Sequence, residues 1–527
     1  MPISIVAAMD GSVSLDGVAL SPEVVTEIAR GGAAVAIAPG ARERMQAAAA
    51  VVARAADAGT PVYGVTTGLG NRVVDRIDGH AAAAFSLQTL RGRAMSVGER
   101  LPAELTRAAM AVRCNGLCAG GSGATVAIAE GLAALLNAGV SPCVPRTGSV
   151  GASDLCMLAH VGLTLIGEGE AELEGRPMPS ADALTRAGLA PVRLGPKDGL
   201  AICSSSAVTA GVAALAVVDA AACLDTLQVA AALSMEGFRA NLSPLDPRVV
   251  AARPAPGQAW AADGLRALLS GGALTQPGAA RRVQDPLSLR CVSQIHGSLH
   301  VALALLAAAV EPELGGAADN PLVLSDDEEI LSTGNFHVPA LAMALDATAI
   351  ALAQVAGTSS ERQARLKTER LSALPAGLSP TAQISSGLSP LSKTAQALTL
   401  EIRHLAAPLS IMPTIGADSV EDDSTGATHA ALRVREQIER LRLLAAIELI
   451  VAAQAVDLAV GGRGGRGGRA SESLGAGTGV AHAAVRECVA VLEEDRPVGP
   501  DVERLTAELL VGGQLLERVG GAVGARS

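Results

Sequence analysis

Aromatic side chains are nearly missing from this sequence. One tyrosine, one tryptophan and three phenylalanines serve 527 residues. An interior without rings has to be packed by alanine and leucine, and helices tolerate that composition better than sheets do. Positive charge is also short: 41 Lys and Arg stand against 52 Asp and Glu, a formal net charge of -11. A general nucleic-acid surface is thereby disfavoured, because such surfaces neutralise phosphates with clustered cations. The basic exception is G-G-R-G-G-R-G-G-R at 461–469, which reads as a flexible solvated loop, although three arginines among glycines can also touch RNA. Cysteine is sparse, with eight residues and no C-x-x-C spacing, and the N-terminus carries no signal-peptide pattern. A cytoplasmic chain with reduced thiols is expected. Uninterrupted apolar spans are expected to fall short of a bilayer: the run from Val301 stops at Glu311, the run from Leu341 carries Asp346, and the run from Leu441 carries Glu448 and Asp457. These read as long bundle helices whose surplus apolar surface is buried between subunits.

What is present is alanine-rich and helical in pattern. Hydrophobic residues make up 49% of the chain, enough for a large core. Helices are expected over 41–56, over 85–136 with a break at G-G-S-G near Gly120, and over 289–309, 341–358, 391–406 and 431–460. The tail from Pro497 reads as one modest helix and a loose end. The expected division is an N-terminal portion, 1–200, and a long-helix bundle, 201–527. Two glycine-rich turns interrupt the first portion. P-V-Y-G-V-T-T-G-L-G from Pro61 is a loop that holds Tyr63, the one tyrosine. Gly151-Ala152-Ser153 stands just before the apolar run Leu155 to His160. His296 and His300 share a helical face, yet Gly297 stands where an H-E-x-x-H site carries its glutamate, so they read as structural and no metal is expected. Asp422 and Asp423 read as a solvated loop or a helix cap. Cys156 and Met157 read as packing residues.

Several motifs then occur in one order: Y-G-V-T-T-G-L-G from Tyr63, G-S-V-G-A-S-D-L from Gly148, L-I-G-E-G-E-A-E-L from Leu165, Q-D-P-L-S-L-R-C from Gln284, D-N-P-L from Asp319, G-N-F-H from Gly334, E-R from Glu361 and Q-A-V-D-L from Gln454. Together, over nearly the entire chain, they resemble the histidine and phenylalanine ammonia-lyase family. The resemblance implies a mainly α protein, a large elongated helical bundle with a smaller N-terminal portion. It also implies a homotetramer whose active sites draw on more than one subunit. Its electrophile would be a methylidene-imidazolone, made when an Ala-Ser-Gly tripeptide cyclises and loses water. Ala152 and Ser153 match the first two residues of that tripeptide, and Asp154 supplies the next nitrogen. Tyr63 matches the proton-abstracting loop tyrosine, and Arg290 the arginine that binds a substrate carboxylate. Asn320 and Phe336 match pocket residues, and Glu421 lies where the histidine enzymes carry a glutamate. The implied ligand is a small amino or carboxylic acid, with no nucleic acid and no membrane.

Each residue also has a plainer reading. Tyr63 can pack, Arg290 can form a structural ion pair, Asn320 precedes proline and suits a turn, Phe336 can fill core, and Glu421 can be a solvated carboxylate. As a base, a tyrosine with a free pKa near about 10 needs neighbouring positive charge or hydrogen bonds.

The pattern breaks around the tripeptide. The family reads A-S-G-D-L where this chain reads A-S-D-L, so the ring-closing nitrogen belongs to Asp154, and a Cβ resists the compressed approach that glycine tolerates. Ser204 replaces an asparagine that touches the electrophile, and Leu287 replaces a second tyrosine. The segment from Leu87 to Glu99 is about two residues short and lacks the histidine of histidine lyases. Three readings stay open. The chain is an ammonia-lyase or aminomutase with a ring formed despite Asp154, an enzyme of the same fold without the ring, or a non-catalytic oligomeric partner. The first predicts that histidine is a poor substrate. Without the electrophile, a weakly acidic β-proton and a poor leaving group demand large transition-state stabilisation from elsewhere.

Overall fold

The alanine-rich segments form helices, and the longest of them are Ala207–Phe238, Val292–Val310, Pro339–Leu366 and Ala427–Gly461. The computed structural model describes residues 12–380, 384–412, 416, 421–461 and 473–524. Residues 462–469 of the Gly/Arg stretch lie outside them. Strands are confined to short pieces. One parallel pair joins Val13–Leu15 to Val35–Ile37, and antiparallel pairs join Val97–Arg100 to Pro145–Thr147 and Leu322–Leu324 to Glu329–Leu331. A three-stranded sheet orders Glu170–Leu173 between Ser141–Pro142 and Arg176–Pro179. The protein is mainly α, as its composition requires.

Contacts divide the chain into two units that do not follow chain order. The first comprises 1–218, 305–346 and 408–432, and the second 219–304, 347–407 and 433–527. In the first, small residues let backbones approach. A Cβ added at Gly211 would lie 2.7 Å from the Ala109 nitrogen, so this helix crossing depends on glycine. In the second, a fully buried ion pair ties two long helices: Arg362 Nε donates to Glu448 Oε1 at 2.6 Å and Arg362 Nη2 to Oε2 at 2.9 Å. Ser234 and Ser359 donate to the same carboxylate at 2.9 and 2.6 Å.

The expectation about apolar spans needs correcting. By length and composition alone, Asp198–Phe238, Val292–Leu314 and Pro339–Leu366 are each long and apolar enough to cross a membrane. A few charges such as Asp346 do not lower the average of a 28-residue helix enough to break it. Burial inside the protein covers 83% of the first apolar window and 67% of the third, but 44% of the second, where Val301 and Leu305 are exposed.

Candidate active site

Tyr63 is placed by its neighbours. Val62 and Val65 sink into a core of Ala48, Val51, Val52, Ala56, Ala82 and Val323, each valine contributing about 1.5–3 kcal/mol when fully buried. Thr66 Oγ1 accepts from the Val62 N–H at 2.8 Å, and Val65 N–H donates to the Val62 carbonyl, which closes the turn. Tyr63 is thereby left half-buried, its phenol oxygen accepting from the Gly70 N–H at 3.0 Å.

The Gly148–Leu155 turn is built around a carboxylate. Asp154 is completely buried. Its Oδ1 accepts from the hydroxyls of Ser149, Thr428 and Thr209 at 2.8, 3.0 and 3.1 Å, and its Oδ2 from the Thr209 N–H at 2.9 Å. Burial nevertheless pushes the carboxyl pKa up, against the pull of these donors. Gly151 has φ +81, and a Cβ there would lie 2.8 Å from the Ala427 nitrogen, so only glycine fits. Ser153 also takes a left-handed conformation, φ 69, rare for a residue with a Cβ. Its Oγ is buried without a hydrogen-bond partner. Ala152 forms an antiparallel bridge with His337, and the Leu155–Leu165 helix follows.

This arrangement bears directly on the implied electrophile. Ring closure needs the nitrogen after the serine to attack the Ala152 carbonyl. That nitrogen, of Asp154, donates to the Ser205 carbonyl at 2.8 Å. To close the ring it would have to give up this bond and drag a four-donor carboxylate with it. The residues present do not fit the group.

Below the turn, Ser204 Oγ accepts from the Asn320 N–H at 3.2 Å, and Asn320 Oδ1 accepts from the Thr333 N–H at 3.0 Å. The Asn320–Pro321 peptide is cis. Lys197, buried, donates to the Pro321 carbonyl at 2.8 Å and to the Ser122 carbonyl; burial lowers its pKa to about 8. Arg113 and Asp319 form a buried pair at 2.7 Å beside it. Ser206 Oγ donates to the Phe336 carbonyl at 2.7 Å.

These elements enclose a cavity of about 270 Å³. Tyr63, Ala152, Ser153, Ser204, Asn320, Phe336 and Glu421 line it, so seven of the ten residues singled out in the sequence meet at one place. Asp154 stands behind the wall. Arg290 and Leu287 lie in the second unit and are not among the lining residues. Leu287 is exposed, while Arg290 is half-buried with an Nε that lacks a partner. His296 bonds to Gln228 Oε1 at 3.1 Å, and His300 stacks on Trp260. Sequence reasoning missed Arg93, the lining cation, which makes no ion pair among the described residues. The signal available was its place in the shortened segment Leu87 to Glu99, where the histidine is lost.

Comparison with known proteins gives the family and the fold. The family model for aromatic amino acid lyase matches residues 20–487. Histidine ammonia-lyase of Symbiobacterium thermophilum is 40% identical over 95% of this chain and 97% of its own. That of Sorangium cellulosum is 40% identical over 96% and 98%. Among solved structures, the ergothioneine-degrading enzyme of Treponema denticola, crystallised with desmethyl-ergothioneine sulfonic acid, aligns with TM-score 0.89 at 30% identity, covering 95% of this chain and 99% of that one. Tyrosine aminomutase of Streptomyces globisporus aligns with TM-score 0.90 at 29% identity, covering 97% and 99%.

Proposed function

Because the chain belongs to the aromatic amino acid lyase family, we propose that its cavity eliminates an amine from a small α-amino acid, or shifts that amine within it. The observation that carries the reading is the gathering of Tyr63, Asn320, Phe336 and Glu421 around one cavity of about 270 Å³, from segments far apart in the chain. In this reading Tyr63 takes the β-proton, the C–H electrons form the double bond, and the C–N pair leaves with the amine. Glu421 faces the substrate ammonium, and Asn320 and Phe336 hold its body. Arg290, which the family resemblance assigns to a substrate carboxylate, is not among the residues lining this cavity and takes no part in this reading. Exposed Val301, Leu305 and Met343 support assembly as a homo-oligomer, because apolar surface of this kind is normally covered.

Histidine heads the substrates to be tried. The relatives named above carry its name, and the expectation that it is a poor substrate finds no support among them. Ergothioneine and tyrosine follow, from the structural neighbours. The purified chain is incubated with each, and with a panel of further α-amino acids, while released amine and the unsaturated acid are measured. Turnover of at least one is expected, and Tyr63→Phe should lower its kcat by about 10²-fold or more. The absence of both elimination and amino shift across the whole panel would sink the reading.

A further inference from the structure

Two features of the cavity wall have no role in the chemistry above. The first is the start of the Leu155–Leu165 helix. Asp154 occupies its N-cap position but gives no side-chain cap, because its carboxylate is spent on Ser149, Thr209 and Thr428. The N-terminus of this 11-residue helix therefore has no side-chain cap, at the positive pole of the helix dipole. Leu155 itself lines the cavity. The second is Ser153, 6% exposed, a residue of the same cavity wall whose buried hydroxyl has no partner. A buried, unpaired donor is costly unless something fills the site.

Arg93 completes the set. Its half-buried guanidinium lines the cavity without an ion pair among the described residues, and so does the exposed Glu421 carboxylate. A cation, a hydroxyl-bearing residue, a helix N-terminus and a carboxylate around one cavity match the two charges of a zwitterion.

We propose that the uncyclised Ala152-Ser153 turn is an anion site: Ser153 Oγ, the N-terminus of the Leu155–Leu165 helix and Arg93 together hold a carboxylate of the substrate. The wall that bears the electrophile in the family resemblance here binds negative charge instead. The identity of the carboxylate as a substrate's rests on the lyase reading, whereas the anion site itself does not.

Two measurements on the full-length chain test this. The intact mass of the protein, with peptide mapping across Arg146 to Leu173, is expected to equal the sequence mass. A deficit of two waters confined to Ala152-Ser153-Asp154 would overturn the proposal, because ring formation consumes the Ser153 hydroxyl. Crystals of the same protein are then soaked in sodium bromide and, separately, in sodium formate. An anomalous bromide peak is expected between Ser153 Oγ, the Leu155 N–H and the Arg93 guanidinium, with formate at the same place. Arg93→Gln and Ser153→Ala should each weaken formate binding, measured by titration, by about tenfold or more. An empty site in both soaks, or a formate affinity unchanged in Arg93→Gln crystals of the same fold, would overturn it. None of these readouts needs turnover, so an absence of lyase activity leaves the result separate.

Discussion

At the scale of single residues, Asp154 decides more than any side chain that touches the cavity. It takes four hydrogen bonds in a fully buried place, yet burial still raises its pKa from the ordinary value, so ionisation there is a cost that the donors only partly offset. Asp154→Asn keeps an oxygen for the Thr209 N–H and can offer its amide to the hydroxyls, which accept as well as donate. Its expected cost is about 1 kcal/mol or less. Asp154→Ala strands the Thr209 N–H, leaves the three hydroxyls only one another and the Ser153 carbonyl, opens a cavity, and should cost about 3 kcal/mol or more. Urea midpoints for the two variants check this, and equal losses would show that shape matters here and hydrogen bonding does not. Seven cavity residues were legible from the sequence only through motif order, because nothing periodic links Tyr63 to Glu421. Arg93 was not legible. Arg91, two positions away on the same helix, faces elsewhere and pairs with Glu168 at 3.0 Å on the surface. Pattern alone cannot say which of the two arginines turns inward.

Among the helices, alanine patterning made the long elements readable, and their ends less so. The expected 341–358 runs as Pro339–Leu366, because Arg362 and Gln363 look like a polar exit while both are fully buried. The sequence of the tail suggests one helix, but Gln514–Gly524 forms a second after Gly499–Leu505, since Leu515 and Val519 bury one face despite three glycines. Arg362 also carries a prediction. Arg362→Met removes two charge-assisted bonds and leaves Glu448 buried with only two serine donors, which should cost about 3–5 kcal/mol. Adding Glu448→Gln removes the stranded charge and should recover a substantial part. Chemical denaturation of the single and double variants measures it; a double variant no better than the single would mean that the pair acts through packing rather than charge.

Over the whole molecule, the same scarcity of partners that an alanine-rich interior imposes makes stability sensitive to alkaline pH. Lys197 and Lys367 are buried, and desolvation lowers both to about 8 from the ordinary 10.5. Between those values the unfolded chain binds more protons than the folded one, so the cost of burying the two cations shrinks as pH rises from about 8. Cys203 and Cys223 behave oppositely. Burial pushes each thiol up to about 12 from the ordinary 9.0, so above pH 9 the unfolded chain gives up protons that the folded chain keeps, and their stabilising effect is progressively lost. The lysines give a gain between about pH 8 and 9. Above about 9, Cys203 and Cys223 are joined by Cys114, Cys143, Cys156 and Cys488, whose pKa values are also raised. The thiols then outweigh the lysines and stability falls, most steeply beyond about 10.5, where only the thiols still differ between states. Thermal midpoints measured across this range should trace that course in the wild-type chain. Lys197→Met should flatten the rise, since the neutral side chain has nothing to titrate, although it strands the Ser122 and Pro321 carbonyls and lowers the whole curve. Cys203→Ala should weaken the fall without touching the rise. A Lys197→Met curve that keeps the full wild-type slope between pH 8 and 9 would mean that this lysine is solvated in the folded state, and that the support under Asn320 is looser than its hydrogen bonds imply.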